Sequence, residues 1–371
     1  MAKSKKKMKE KNEKNLDLLL TVSWNDDDND NNNNKKNNES VVLIDQTKLP
    51  NRLVYVKCRD YKEVADAIRK LVVRGAPAIG VTAAFGLALA ASASKAKKLP
   101  ELMTELETAF KVLQSTRPTA INLFWALERV MGKAKRAKSV HEAKAAVIEE
   151  AKRMSDEDIK ANMQMGSNGA RLFSDGDVVL THCNAGSLAT VAYGTALGVI
   201  RSAKDSGKRL SVIATETRPV MQGARLTAFE LQHDGIDVSL IPDTAVGHMM
   251  AQGAIKRVIV GADRVLRTGH VFNKIGTYQV AILASRHKVP FYVAAPLSTF
   301  DFESNPGDVV IEERSTDEVT KVGRKRVAPK GVRIFNPAFD MTPPDLITGG
   351  IITEKGVLKP PFEKNLKALL G

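Results

Sequence analysis

Cys183 is the first candidate for chemistry, because it lies in a polar, glycine-containing loop between two apolar stretches, DVVLTHCNAGSLAT at 177–190. The apolar run 178–180 predicts a short buried strand, and 188–200 predicts the helix that follows the loop. Free N–H groups and the helix dipole favour an anion at such a helix start, and a thiol there becomes more reactive. The alternative is a buried cysteine that serves packing alone.

Polar side chains also follow the later predicted strands, which alternate with helices after residue 175 and so predict a doubly wound parallel sheet. Ligands of such sheets bind outside the carboxyl ends of the strands. The residues at those ends are Cys183, Glu216, Thr217, Arg218, Asp243, Asp263 and Arg264. Asp243 equally fits a helix cap, and Asp263 a cap paired with Arg264.

The Cys183 and Asp263 pair lacks the third partner that a Cys-His hydrolase would show. The pair instead fits proton shuttling at a sugar carbon, with one group acting on carbon and the other on oxygen. Arg74 and Arg117 precede prolines at predicted helix starts, Gln222 lies in a turn, and Asn273 and Lys274 precede another helix. We expect Arg74, Arg117, Gln222 and Lys274 to clamp a phosphate if the two halves of the chain face each other. A surface arginine before a turn is the alternative for Arg74.

The elements that position these residues divide the chain into three parts. Residues 1–16 predict a disordered basic tail, and 17–150 predict a smaller domain of a β-hairpin or short sheet plus helices. A low-complexity polar insert at 25–40 expands the turn of that hairpin, and the apolar helix at 78–93 should be buried. Residues 151–371 predict a C-terminal Rossmann-like domain, so the fold class is α/β.

Composition excludes several classes of protein. The net charge is +14, and it belongs to the body of the chain because the lysine-rich tail is balanced by acidic residues nearby. Such charge suits anionic small molecules, while no zinc spacing or recognition-helix pattern favours nucleic acid. No GxGxxG or P-loop predicts a dinucleotide or ATP site, and the six histidines show no metal spacing.

No apolar run is expected to span a bilayer, and no secretory signal precedes the body. Two cysteines suggest no disulfide framework, which favours a reducing compartment such as the cytoplasm.

Several long motifs occur in one order between roughly residues 17 and 355. They are RGAPAIG (74–80), TRPTAINLFWAL (116–127), THCNAGSLATVAYGTALGVI (181–200), ETRPVMQGARLTAFEL (216–231), GADRV (261–265) and NKIGTYQVA (273–281). They closely resemble the family of S-methyl-5-thioribose-1-phosphate isomerases, which is shared with the α, β and δ regulatory subunits of translation initiation factor 2B.

The resemblance implies an aldose–ketose isomerase that converts 5-methylthioribose 1-phosphate to 5-methylthioribulose 1-phosphate in methionine salvage. It implies a homodimer without cofactor. The absence of a metal and of a membrane or nucleic-acid partner is expected from the composition and spacing described above. By the same resemblance Asp263 donates a proton, and Cys183 moves hydrogen between C2 and C1 or stabilises the transition state. The substrate-binding residues that it implies are Arg74, Gly75, Ala76, Arg117, Gln222, Asn273 and Lys274.

Two other interpretations remain open at this stage. A sister isomerase acting on ribose 1,5-bisphosphate or 5-deoxyribose 1-phosphate would share Cys183 and Asp263. A non-catalytic regulatory subunit would have no use for either group. A methylthio substrate needs an apolar pocket, for which Phe124 and Trp125 are weak candidates because they more often belong to a core.

Overall fold

The computed structural model describes residues 18–26, 39–117 and 120–370. The predicted tail at 1–16 lies outside the described residues, and so do positions 27–38 of the predicted insert at 25–40. The strands on either side of the insert, β1 (Val22–Asn25) and β2 (Ser40–Ile44), pair antiparallel, and β3 (Tyr55–Cys58) continues the sheet in the order β1-β2-β3. The predicted hairpin and short sheet are therefore confirmed.

Five helices follow this sheet, and they pack around the second one. They are α1 (Tyr61–Arg69), α2 (Ala76–Ala93), α3 (Leu99–Gln114), α4 (Ile121–Ala134) and α5 (Val140–Ala170). Apolar and small residues cover every face of α2, which places the helix inside the N-terminal core with Phe85 among its largest buried side chains. By length and composition α2 could also cross a membrane, so the expectation that no apolar run is long enough was wrong. Its burial is that of a core helix, as predicted.

The long helix α5 connects the two parts of the chain. Its first half contributes Ala143 and Val147 to the N-terminal core, and its second half contributes Met165 and Ala170 to the core under the large sheet. The domain boundary predicted at 150/151 therefore falls within one continuous helix.

A seven-stranded sheet forms the centre of the C-terminal part. Its members are β4 (Val178–Thr181), β5 (Ser211–Thr215), β6 (Asp237–Ile241), β7 (Arg257–Val260), β10 (Phe291–Ala294), β15 (Gly350–Thr353) and β16 (Gly356–Leu358). The spatial order is β16-β15-β10-β7-β4-β5-β6, and all neighbours are parallel except β15 and β16. The predicted doubly wound parallel sheet is confirmed. Its strand order reverses between β4 and β7, which makes that pair the topological switch point.

Smaller elements complete the C-terminal part. The helices are α6 (Ala196–Asp205), α7 (Ala228–His233), α8 (Val246–Ala251), α9 (Thr277–Arg286), α10 (Asp317–Thr320) and α11 (Phe362–Leu370). A four-stranded sheet has the order β11-β8-β9-β14, with β8 (Arg264–Leu266), β9 (Val271–Lys274), β11 (Phe300–Asp301) and β14 (Phe339–Thr342). β12 (Lys321–Val322) and β13 (Lys325–Arg326) form a separate two-stranded hairpin that pairs with none of the other sheets.

Two local predictions were wrong. The helix expected at 188–200 begins only at Ala196, because Tyr193 and Gly194 adopt φ of 70° and 84°, which a helix cannot contain. The segment between Asp263 and the helix after Lys274, for which no strand was predicted, contains β8 and β9, so Asn273 and Lys274 lie in a strand. Strands of three and four residues are too short to show a clear alternation of apolar and polar side chains. These two strands show none, because almost every residue in them is buried.

Candidate functional site

One cavity at the switch point is lined by all nine residues that the family resemblance implies as catalytic or substrate-binding. It lies between the start of α2 and the carboxyl ends of the parallel strands. Its walls include Arg74, Gly75, Ala76, Arg117, Cys183, Gln222, Asp263, Asn273 and Lys274. Cys183 follows β4 and Asp263 follows β7, and these two strands are direct neighbours with Leu180 opposite Val258. Cys183 and Asp263 therefore share one cavity with the predicted binding residues.

The backbone of Cys183 is held in an uncommon conformation. Its φ is 65°, in the left-handed region that a cysteine rarely adopts. The Cys183 N–H donates to Oγ1 of Thr217 at 2.9 Å, and its carbonyl accepts from Oγ1 of Thr227 at 2.6 Å. Nη2 of Arg74 lies 3.8 Å from the Cys183 Sγ. The two threonines compensate the strain and fix where the sulfur sits in the cavity.

Asp263 lies in a part of the cavity where burial and charge oppose each other. Burial raises the pKa of the Asp263 carboxyl, while the nearby cations Lys274, Arg74 and Arg117 act to lower it. The net direction is upward, so the carboxyl keeps its proton to a higher pH than a solvated aspartate. Gly261 leads into this position, and a Cβ there would lie 2.6 Å from the Cβ of Ala185. Only glycine therefore lets the end of β7 lie against the loop that carries Cys183.

Arg74 and Gln222 carry buried polar atoms that no described residue satisfies. Nη1 of Arg74 and Oε1 of Gln222 both lack a hydrogen-bond partner. Gly75, at φ 95°, lets Arg74 reach this position, since a Cβ there would overlap the backbone of Ala189. An unused donor and an unused acceptor on one cavity wall are suited to a ligand that carries both an anionic oxygen and a hydroxyl group.

Lys274 and Asn273 are held by β9 on the opposite wall. Nζ of Lys274 donates to the Ala338 carbonyl at 2.8 Å and lies 4.4 Å from the centre of the Phe339 ring. Burial lowers the pKa of Lys274, and the nearby Cys183 and Asp263 act in the opposite direction, to raise it. Nδ2 of Asn273 donates to Oγ1 of Thr277 at 3.0 Å. These bonds fix both side chains before any ligand arrives.

The segment between β11 and α10 adds charged groups that sequence reasoning missed. Nη2 of Arg117 lies 3.4 Å from Oε2 of Glu312, and Nη1 of Arg314 lies 3.7 Å from Oε1 of the same glutamate. Arg314 lines the cavity and also pairs with Glu318 at 2.6 Å. No glycine turn, proline or helix start marks Arg314 in the sequence, so no local signal could have identified it.

The two helix starts that were predicted to bind a ligand anion bind carboxylates of the protein instead. Glu230 accepts from the N–H groups of Ser187 and Leu188 at 2.7 and 3.1 Å. Asp340 accepts from the N–H groups of Gly276 and Tyr278 at 2.7 and 3.0 Å. Backbone donors at these two places are therefore used internally, and the cationic side chains are left for a ligand.

Some strand-end residues do not reach the cavity. Asp243 accepts from the N–H groups of Thr217 and Arg218 at 2.8 and 2.7 Å, so it holds the loop after β5 in place. Glu216, Arg218 and Asp243 are not among the residues that line the cavity. The weak candidates for an apolar pocket were also wrong. Phe124 packs against the N-terminal core, and Trp125 lines a different cavity.

Other apolar side chains take the place of Phe124 and Trp125 in this cavity. They are Leu71, Ile79, Val220, Val309, Ile311 and Phe339. Within the described ranges, no group of three or more His, Cys, Asp or Glu side chains is arranged to hold a metal ion.

The chain is an α/β protein with a cationic cavity at the switch point of a parallel sheet, and one thiol and one carboxyl group line that cavity. A family model described as the initiation factor 2 subunit family matches residues 72–360. The chain belongs to this family.

Its relatives include both enzymes and initiation-factor subunits by name. A methylthioribose-1-phosphate isomerase of Thermosipho africanus is 55% identical over 332 residues, covering 89% of this chain and 96% of the relative. The solved structure of a 5-methylthioribose 1-phosphate isomerase from Pyrococcus horikoshii matches with a TM-score of 0.85 at 46% identity, covering 95% of each chain. A structure titled as subunit delta of eIF-2B from A. fulgidus matches with a TM-score of 0.83 at 50% identity, covering 95% of this chain and 99% of the other.

The two cysteines should differ sharply in reactivity. Cys58 is buried, and burial together with Glu63 and Asp60 raises its pKa to about 11, so its thiolate is rare near pH 8. Cys183 lines the cavity beside Arg74 and Lys274. We expect iodoacetamide to modify Cys183 well before Cys58, as measured by peptide mass spectrometry over time. A Cys183→Ala variant is the control and should lose the fast phase. Equal or faster labelling of Cys58 would contradict this assignment.

Proposed function

We propose that the chain isomerises 5-methylthioribose 1-phosphate to 5-methylthioribulose 1-phosphate. The observation that carries the proposal is the shared cavity, in which Cys183 and Asp263 face cationic groups able to hold a phosphate. The relatives that bear this isomerase name match almost the whole chain, which supports the same substrate. The reaction needs no external oxidant, since one carbon of the sugar is reduced while its neighbour is oxidised.

The chemistry divides between the two side chains. Breaking the bond between C1 and the ring oxygen leaves that oxygen in need of a proton, which Asp263 supplies from its protonated form. The C2 hydroxyl loses its proton as the C2 carbonyl forms, and this proton restores the acid. The hydrogen on C2 moves to C1 beside the sulfur of Cys183. The raised pKa of Asp263 favours this cycle, because the donor must hold a proton when the ring opens.

The charge distribution of the cavity favours a substrate with one phosphate. Arg117, Arg264 and Arg314 each lie near a carboxylate, namely Glu312, Asp301 and Glu318. In the described part of the chain, Arg74 and Lys274 make no such pair, so we assign the phosphate to them, with Arg117 and Gln222 completing the clamp and Asn273, Gly75 and Ala76 shaping its floor. The apolar side chains of the remaining wall suit a methylthio group better than a second phosphate.

Two further expectations belong to this proposal. We propose that the chain works as a homodimer and in the cytoplasm. The first rests on the family resemblance, and the second on two buried cysteines that form no disulfide.

Turnover of three sugar phosphates will separate the candidate functions. We expect 5-methylthioribose 1-phosphate to give a kcat/KM at least about tenfold above that of 5-deoxyribose 1-phosphate, since the latter leaves the apolar wall unfilled. Ribose 1,5-bisphosphate should be poorer still. The measurement is ketose formation over time for each compound. Preference for the bisphosphate would favour the sister isomerase, and no turnover of any compound would favour a regulatory subunit.

Removing either reactive group should abolish turnover without unfolding the protein. Cys183→Ala and Asp263→Asn should each lower kcat by about 10²–10⁴-fold, the usual size of acid–base contributions. Cys58→Ala and Asp237→Asn are matched controls, since Cys58 is buried elsewhere and Asp237 is exposed. Circular dichroism melting checks the fold of each variant. A folded Asp263→Asn protein with normal kcat would remove Asp263 from the reaction.

Arg74→Ala should act mainly on binding. Loss of a charged hydrogen bond to phosphate should raise KM by about 10- to 100-fold, with a smaller change in kcat. The control is Arg69→Ala, because Arg69 is an exposed arginine on the neighbouring helix α1. Initial rates over a range of substrate concentrations separate the two parameters. An unchanged KM would show that the phosphate lies elsewhere.

A further inference from the structure

A second cavity lies behind the first, and none of the nine candidate site residues lines it. It is enclosed by α2, α4 and α5 together with the loops that follow β10 and β15. Only Pro77 and Pro296 line both cavities. The polar members of its wall are Asn122, Arg129, Glu157, Asp158, Ser298 and Glu354, and the larger apolar members are Val81, Trp125, Met154 and Leu297.

The charges on this wall do not balance. Arg129 is already paired, with Glu157 through two hydrogen bonds of 2.6 and 3.0 Å and with Glu150 through a third of 2.6 Å. Asp158 and Glu354 remain, and no salt bridge from a described residue reaches either of them. Burial raises the pKa of Asp158 to about 7, with a contribution from the charge of Glu354, and burial also raises the pKa of Glu354. The cavity therefore holds acidic groups without a cation to match them.

The same wall is rich in hydrogen-bond acceptors and poor in donors. Oδ2 of Asp158 accepts from the Val191 N–H at 2.8 Å and from Asn162 at 3.0 Å, while no donor within the described ranges reaches its Oδ1. Asn122 is only 2% exposed, and its Oδ1 has no partner although its Nδ2 donates to Ser298 at 3.3 Å. Both oxygens of Glu354 lie within hydrogen-bond distance of the Leu297 N–H, at 3.2 and 3.1 Å. The unpartnered and buried Oδ1 of Asn122, on the same wall as the carboxyl groups of Asp158 and Glu354, calls for a ligand that donates.

We propose that this cavity is a second ligand site, for a primary organic ammonium ion. An ammonium group offers three N–H donors and one positive charge, which match the carboxylates of Asp158 and Glu354 and the amide oxygen of Asn122. The apolar stem of such a ligand packs against Val81 and Met154. The partly exposed Trp125 ring offers a face to the cation, as it already does to Arg129 at 5.3 Å.

An organic cation fits this cavity better than a metal ion does. Asp158 and Glu354 are too few anionic ligands for an all-protein metal site, and no metal-holding group of side chains occurs among the described residues. Half of the wall is apolar, and a hydrated metal ion would leave these apolar side chains in contact with water. The site stands independently of the proposed isomerase activity, since it uses none of the same side chains.

The test is a calorimetric titration of the full chain with n-butylammonium chloride. We expect one site with a Kd on the order of 1 mM, as befits so small a ligand, and no heat with the uncharged n-butanol. Asp158→Asn and Glu354→Gln should each weaken binding at least tenfold. Both substitutions keep an oxygen that can accept the backbone N–H of Val191 or Leu297, so the fold should survive, which thermal melting by circular dichroism checks. Asp156→Asn, an exposed change on the same helix, is the matched control and should bind normally.

The pH dependence gives a second signature. Glu354 and the Glu157–Arg129 pair face Asp158 across the cavity. Asp158 itself has a pKa of about 7. Affinity should rise as the pH passes upward through that value, because the ionised carboxylate binds the cation, and the rise should vanish in Asp158→Asn. Equal binding of n-butanol, displacement by magnesium chloride at equal concentration, or unchanged affinity in folded Asp158→Asn and Glu354→Gln would each overturn the proposal.

Discussion

The pairing of β4 with β7 is the constraint on which the candidate site depends. These strands are parallel neighbours, yet the chain reaches the rest of the sheet from them in opposite directions, through β5 and β6 on one side and β10 and β15 on the other. The loops after the two strands therefore diverge and leave a crevice between them. Cys183 and Asp263 are eighty positions apart in sequence, and only this register brings them to one cavity. Gly261 allows the approach, because any side chain there would meet Ala185.

Internal carboxylates determine which groups remain for a ligand. Glu230 takes the backbone donors after the Cys183 loop and also pairs with the buried Arg201 at 2.7 Å. Asp340 takes those at the start of α9. A phosphate in this cavity would consequently meet cationic side chains and the start of α2, at Gly75 and Ala76, rather than the backbone donors of the Cys183 loop or of the start of α9. Side-chain donors such as Arg74 can be placed only if both the N-terminal helices and the large sheet are folded, so the site belongs to the whole chain.

The sequence predicted residues that share one cavity, and it predicted less well the elements that hold them. Parallel strands and their polar ends could be predicted because apolar runs of four or five residues and the residues after them are local features. The helix predicted at 188–200 could not be placed correctly, since the break at Tyr193 and Gly194 accompanies close packing of Tyr193 against Gly166 and of Gly194 against Gly186, and no proline marks it. Arg314 and Glu312 could not be predicted from the sequence for a related reason. Both lie on an irregular segment whose path is set by tertiary contacts such as the hydrogen bond between Asn336 and Glu318, and Arg314 reaches the cavity wall from it.

Charge balance inside the cavity connects the structure to the chemistry. Three arginines that line it are near carboxylates before any ligand binds, which keeps their guanidinium groups in place without a large excess of positive charge. Arg74 and Lys274 supply the remaining charge, and both act on Asp263 and oppose its protonation. A phosphate dianion placed between Arg74 and Lys274 would cancel their effect on that carboxyl. Its pKa would then rise further, since desolvation would act with less opposition. In the proposed isomerisation, substrate binding would thereby raise the protonated fraction of Asp263, the proposed proton donor, and an empty cavity would hold that proton less firmly.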